Sequence, residues 1–145
     1  MSALPETLQY DEIEVGQLLP ALVIDLTPTV IVSTAIASRD YQDVHHDRDL
    51  AQQRGSKDIF MNILSSNGFV GRFVTDWAGP EAILKRVAIR LGAPNYPYDE
   101  MTMTGEVQGK EVVDGEGIVD VFVRGANGLG DHVKGTVRLS LPQDS

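Results

Sequence analysis

Asp40 and His45 are the residues whose types and spacing point most directly to chemistry. The string Arg39-Asp40-Tyr41-Gln42-Asp43-Val44-His45-His46-Asp47-Arg48-Asp49-Leu50-Ala51 sets a carboxylate five positions ahead of an imidazole in a short polar stretch. Near neutral pH a carboxylate accepts hydrogen bonds, whereas an imidazole can take up or release a proton. A pair of this kind can hold one water and move its protons, which is general acid–base chemistry. The same spacing also arises when an aspartate caps a turn and the histidine is an ordinary loop residue, so the residues around the pair have to decide.

Several other chemistries drop out. The chain has no cysteine, which removes disulfides, thiolate metal sites and a cysteine nucleophile. His46, with Asp47 and Asp49, could suggest a metal, but adjacent residues on a helix point about 100° apart and no distant thiolate is available. We therefore expect no metal and no redox cofactor, and His46 reads as a surface residue. His132, in a strand-rich hairpin, reads as structural, and Phe73 and Trp77 read as core. A formal net charge of -9 makes duplex nucleic acid an unsuitable partner. Lys57, Lys85, Arg86 and Arg90 remain candidates for an anionic small ligand, against the plainer reading of solvated charges.

The elements that must position the pair can be read from periodicity. At 145 residues the chain suits one domain. Residues 1 to 12 read as a loose leader, with acids where a signal peptide would be basic. From Leu18 to Thr34 the abundance of Val, Ile and Thr predicts extended segments. Asp47 to Arg54 predicts a turn or two of helix stopped by Gly55. Residues 62 to 77 predict the main helix, apolar on more than one side and hence covered, in which Gly68 and Gly71 cost about 1 kcal/mol each relative to Ala and call for an offsetting close approach. After Pro80 the period changes to two, as in Met101, Met103, Gly105 and Val107, with turn chemistry at Asp114-Gly115 and Asn127-Gly128. One helix followed by long strands is an α+β pattern in which an antiparallel sheet wraps a helix. No stretch reaches the roughly 20 apolar residues of a membrane span, so we expect a cytoplasmic protein with no membrane partner.

The loop string resembles the signature of the MaoC-like hydratase family, a G-D-x-N-P-[ILV]-H core followed after five residues by Ala or Ser. Asp40, Val44, His45 and Ala51 fall on matching positions. Arg39 stands where that family usually has Gly, Gln42 where it has Asn and Asp43 where it has Pro. The tail Asn127-x-x-Gly130-x-x-Val133-x-Gly135 is similar to the family's closing hairpin. Across Ser33 to Pro80 the likeness narrows to the small MaoC-like subunits of enoyl-CoA hydratases used in bacterial steroid side-chain degradation.

The resemblance implies a hot-dog fold and hydration of a bulky, steroidal 2-enoyl-CoA to the (R)-3-hydroxyacyl-CoA, the thioester being substrate and no cofactor being needed. It assigns catalysis to Asp40 and His45 and the enolate's backbone N–H donor to Asn62; the four cations named above are candidates for the CoA phosphates, each against its reading as a solvated charge. Asn62 would equally serve as the helix N-cap, and both roles can hold together. Arg39 lowers the pKa of Asp40 if their side chains meet. A larger MaoC-like partner subunit is implied, with a homodimer as the fallback. The competing readings are a non-catalytic acyl-CoA-binding or scaffolding subunit, and a thioesterase using a helix carboxylate, for which the sequence offers only Asp76.

Overall fold

Alternation of apolar and polar residues builds the sheet, and its apolar side determines where the main helix lies. In the computed structural model, which describes residues 5 to 143, the strands are β1 (Leu18–Leu26), β2 (Ile83–Leu91), β3 (Asp99–Val113), β4 (Glu116–Asn127) and β5 (Gly130–Leu141). All neighbours are antiparallel, in the order β1-β3-β4-β5-β2, so β1 and β2 are the edges. The expected inward set Met101, Met103 and Val107 is buried, as are Val133, Val137 and Leu139. Asp114 and Gly115 both have positive φ (50° and 80°), the two-residue turn that matches strand twist, and they join Val113 to Glu116.

Helix α3 (Ile63–Ala78) lies on the apolar side of the sheet and buries Val70, Phe73, Val74 and Ala78. Gly105 lets it approach closely, since a Cβ there would sit 2.9 Å from the Phe73 ring. Each such large side chain removed from water contributes roughly 1.5 to 3 kcal/mol, which fixes the helix more firmly than its own propensity. Trp77 is half-buried against this core, as expected.

The stretch Leu18 to Thr34, expected to be extended throughout, divides at Thr27. Beyond it lies α1 (Pro28–Ala37). Thr27 Oγ1 accepts from the Val30 N–H at 3.0 Å, and Pro28 occupies the first helical position, where its missing N–H would have had no partner. The β-branched residues of this helix cost only a few tenths of a kcal/mol each, and burial of Ile31 and Ala35 offsets that.

The loose leader expected over residues 1 to 12 is docked from Leu8 onward; residues 1 to 4 lie outside the described residues. Leu8 N–H donates to Ala78 O at 2.8 Å and Tyr10 N–H to Pro142 O at 2.9 Å. The Tyr10 ring is buried, with the Lys110 ammonium 4.2 Å from its centroid. The polar residues hid an anchor made of Tyr10 and Ile13. The short helix α2 (Arg48–Gln53) is capped by Asp47, which accepts from Leu50 N–H at 3.0 Å, and the chain turns away at Gly55 with φ 94°. No helix of the described residues is long and apolar enough to cross a membrane.

Candidate active site

Asp40 is placed by the end of α1. The helix closes with Arg39 N–H on Ile36 O (2.9 Å) and Asp40 N–H on Ala35 O (3.0 Å), a pattern that requires a left-handed residue between cap and exit. That residue is Arg39, at φ 57°. Glycine enters this conformation without steric cost, which gives a physical reason for the family's glycine at this position and makes Arg39 a strained substitute. The Arg39 side chain is exposed and does not meet the Asp40 carboxylate, so it is not what holds that group ionised.

His45 is placed by a single turn, Asp43–His45, braced from outside by Asp43 paired to Arg54 at 2.8 Å. Two contacts zip this turn to the segment entering α3: Phe60 N–H donates to Val44 O at 3.1 Å, and His45 Nδ1 lies 2.7 Å from Phe60 O. A carbonyl oxygen brings no hydrogen, so Nδ1 carries a proton, and in the neutral imidazole the other ring nitrogen, Nε2, carries a lone pair. The Phe60 ring packs edge-on to the imidazole, with centroids 5.0 Å apart.

That Nε2 faces Asp40 Oδ2 at 3.4 Å, with the imidazole buried and the carboxylate partly exposed. In a neutral imidazole both facing atoms are acceptors and cannot bond each other. A water that donates one hydrogen to each satisfies both and keeps its own lone pairs free.

Asn62 is the N-cap of α3, and its side chain also reaches the carboxylate, a contact the sequence did not reveal. Its Oδ1 accepts from Ser65 N–H at 2.9 Å and from the Ser65 hydroxyl. Its Nδ2 donates to Ser38 Oγ at 2.9 Å and to Asp40 Oδ2 at 3.1 Å. The amide orientation is unambiguous, since reversal would set an oxygen against a carboxylate and a nitrogen against an N–H. Asp40 Oδ1 accepts from Gln42 N–H at 3.2 Å. The Asn62 amide first, the Gln42 N–H second and, when it is protonated, the charge of His45 last hold Asp40 below the usual carboxylate range, against an opposing effect of partial burial. The backbone N–H of Asn62 has no acceptor among the described residues and lies at the positive end of a long helix.

The other expected residues are dispersed. Lys57 is exposed, 5.7 Å from the Tyr96 ring centroid, on the segment leading into Phe60 and Asn62. Lys85 pairs with Glu116 at 2.8 Å. Arg86 and Arg90 stand opposite Arg138 and Lys134, on the sheet face away from α3. These three do not gather with the dyad. His46 is exposed, and Asp76, paired with Arg72 at 3.3 Å, lies towards the opposite end of α3. His132 is buried, with Nδ1 2.7 Å from Ala93 O and Nε2 2.7 Å from Ser66 Oγ, and its burial pushes the imidazole pKa down.

An apolar groove of about 330 Å3 runs along α3 beside α1, starting at Ser38 and Ser65, both partners of Asn62. Leu64, Phe69 and Gly68 line it. A Cβ on Gly68 would meet nothing within 4 Å, and one on Gly71 would meet only Leu84 at an ordinary 3.5 Å, so packing within the chain does not demand glycine at either position.

A scan of protein-family models gives no match. The 3-oxo-4,17-pregnadiene-20-carboxyl-CoA hydratase beta subunit of Mycobacterium tuberculosis is 55% identical over 127 residues, covering 88% of this chain and 95% of that one. A chain of the crystal structure of the ChsH1–ChsH2 complex from Mycobacterium tuberculosis superposes with a TM-score of 0.83 at 56% identity, over 88% of this chain and 98% of that one. The unliganded R-hydratase PhaJ1 from Pseudomonas aeruginosa shares the fold, with a TM-score of 0.85 at 22% identity over 95% of this chain and 88% of that one. At this level of identity and coverage the chain belongs to the family of the 3-oxo-4,17-pregnadiene-20-carboxyl-CoA hydratase beta subunit, with a hot-dog fold in which the sheet wraps the main helix.

Proposed function

We propose that the chain is the dyad-bearing subunit of an enoyl-CoA hydratase that adds water to a bulky, steroid side-chain 2-enoyl thioester. The observation that carries this reading is His45 Nε2 facing Asp40 Oδ2 across 3.4 Å while Nδ1 is committed to Phe60 O. His45 is the base: Nε2 takes a proton from the shared water as its oxygen bonds to C3. Asp40, kept ionised by two donors, orients that water and balances the imidazolium that forms. The imidazolium returns its proton to C2 on the same side, so the net change is OH on C3 and H on C2. Charge developing on the thioester oxygen meets the backbone N–H of Asn62 and the helix end. Every group in this sequence is a protein side chain or backbone amide, and the step draws on no metal or redox cofactor.

In this reading the acyl group lies in the groove that begins at Ser38 and Ser65, and Lys57, exposed on the segment leading into Asn62, is assigned to a CoA phosphate. A larger MaoC-like partner completes the cleft, as the beta-subunit name and the ChsH1–ChsH2 complex of its relatives suggest. Its docking surface is the β2 edge with the adjoining part of α3, where Ile63, Leu64, Ile83, Leu84 and Leu91 are exposed beside unpaired strand backbone. The assembly works on acyl-CoA in the cytoplasm.

The test is to purify the chain with and without that partner and follow loss of the conjugated enoyl-thioester absorbance together with free CoA. Hydration removes the absorbance and releases no CoA. Release of CoA with the conjugation intact would mean hydrolysis and end the proposal. Full activity of the chain alone as a homodimer would retain hydration and discard the obligatory partner.

A further inference from the structure

We infer that the side-chain amide of Asn62 is a positioning residue for hydration: it aims Asp40 Oδ2 at His45 and fixes that carboxylate in its ionised form. The inference rests on the hydratase reading and concerns the side chain, separately from the backbone N–H assigned to the enolate. Asn62 is 2% exposed, and all its side-chain hydrogen-bonding capacity is directed. Oδ1 is held by the Ser65 N–H and hydroxyl, which sets the amide plane relative to α3. Of the two Nδ2 hydrogens, one is bound to Ser38 Oγ at the end of α1 and the other to Asp40 Oδ2.

The geometry makes this more than a helix cap. Capping needs only the oxygen of residue 62, and serine or aspartate supplies it as well as asparagine does. The Nδ2 hydrogens contribute nothing to capping; they reach residues 22 and 24 positions earlier and tie the start of α3 to the end of α1. Oδ2 is also the oxygen that faces His45 Nε2, so the amide acts on the atom that shares the water. Among the described residues His45 is the titratable or charged group that pairs with Asp40. Ser38 and Asn62, which face the site from α1 and α3, are neutral, Gln42 offers a backbone N–H, and Arg39 is turned to solvent.

The variants Asn62→Asp and Asn62→Ser separate the two jobs, because both retain the cap and the backbone N–H and both lose the donor to Oδ2. With the chain and its larger partner purified together and a trans-2-enoyl-CoA as probe, each variant should melt close to wild type. Each should lose about tenfold or more in kcat with a smaller change in KM, the scale of one lost charge-assisted hydrogen bond. The split between kcat and KM is the readout: an amide that orders the water moves kcat, whereas a merely structural role would lower melting temperature and leave kcat per folded molecule near wild type. If Asn62→Asp does not fold, Asn62→Ser carries the test. Wild-type kcat in the folded variants overturns the inference; if Asp40→Asn is then inactive, the hydratase reading stands, and if Asp40→Asn is active, that reading falls as well.

Discussion

The chain buries two imidazoles, and the contrast between the regions around them separates the histidine proposed for catalysis from one that serves the architecture. His45 and His132 are 7% and 2% exposed, and each has Nδ1 2.7 Å from a backbone carbonyl. Up to that atom they are built alike. The second nitrogen differs: in His132 it accepts from Ser66 Oγ at 2.7 Å inside the core, so its bonding is complete. In His45 it faces a carboxylate that cannot donate to it. In the proposed mechanism His45 is the reactive one because its second nitrogen is left for an outside molecule, and burial alone confers nothing of the kind.

The largest effect should come from removing the reactive side of this contrast. Asp40→Asn and His45→Ala are each expected to cut turnover by on the order of a hundredfold or more with folding intact. The double variant should lose little beyond the worse single one, because both residues act on one water. Steady-state kinetics on the partnered enzyme checks this; near-wild-type turnover in either single variant would remove the dyad.

Access sharpens the contrast next, since the groove begins at Ser38 and Ser65, the partners of Asn62 beside Asp40. Gly68→Leu, filling space that no neighbour occupies, should reduce kcat/KM for a steroid side-chain enoyl-CoA relative to a short enoyl-CoA by roughly tenfold or more. Equal loss on both substrates, or none on either, would place the acyl group elsewhere.

For His132 the expectation reverses. His132→Phe should destabilise the fold by about 1 to 3 kcal/mol, because Ser66 Oγ and Ala93 O lose a partner in the core, while kcat per folded molecule stays within about twofold. Urea unfolding and active-site titration together measure both quantities. A large kcat loss without destabilisation would erase the distinction between the two histidines.

The same residue sets a pH signature. Burial lowers the pKa of His132 from 6.5, so below that pH the unfolded chain binds a proton that the folded chain does not. The stability associated with neutral His132 is therefore present above about 6.5 and declines as pH falls from there towards the folded-state value. Unfolding free energies measured across this window should fall less steeply in His132→Phe; identical slopes would count against a depressed His132. The smallest effect is expected from exhaustive chelation, which should leave hydration unchanged; loss restored by a divalent ion would refute the metal-free mechanism.

The parts of this arrangement that were legible in the sequence are those with local causes. Asp40 and His45 are close in sequence, α3 announces itself by its period, and Asp114-Gly115 selects its turn by backbone preference. The Val/Ile/Thr run after Pro28 misled because β-branching outweighed a two-residue start signal, Thr27-Pro28, which local geometry obeys. Tyr10 and Ile13 were hidden among acids. The Asn62 amide could be read as a cap but not as a partner of Asp40, because that contact depends on how α1 and α3 meet. The strain at Arg39 was visible only as a departure from the family's glycine, and the αL backbone gives it a cause.

One consequence follows from where the catalytic parts lie along the chain. Ser38, Asp40, His45, Phe60 and Asn62 all come from one continuous stretch, whereas the sheet supplies none of them. Short segments close at low entropic cost, so the connections between these residues cost little once the sheet has seated α3. Residues 38 to 62, transplanted between the corresponding helices of another sheet-wrapped scaffold that tolerates a left-handed residue at the entrance, should bring the water-activating pair with them and leave substrate choice to the host.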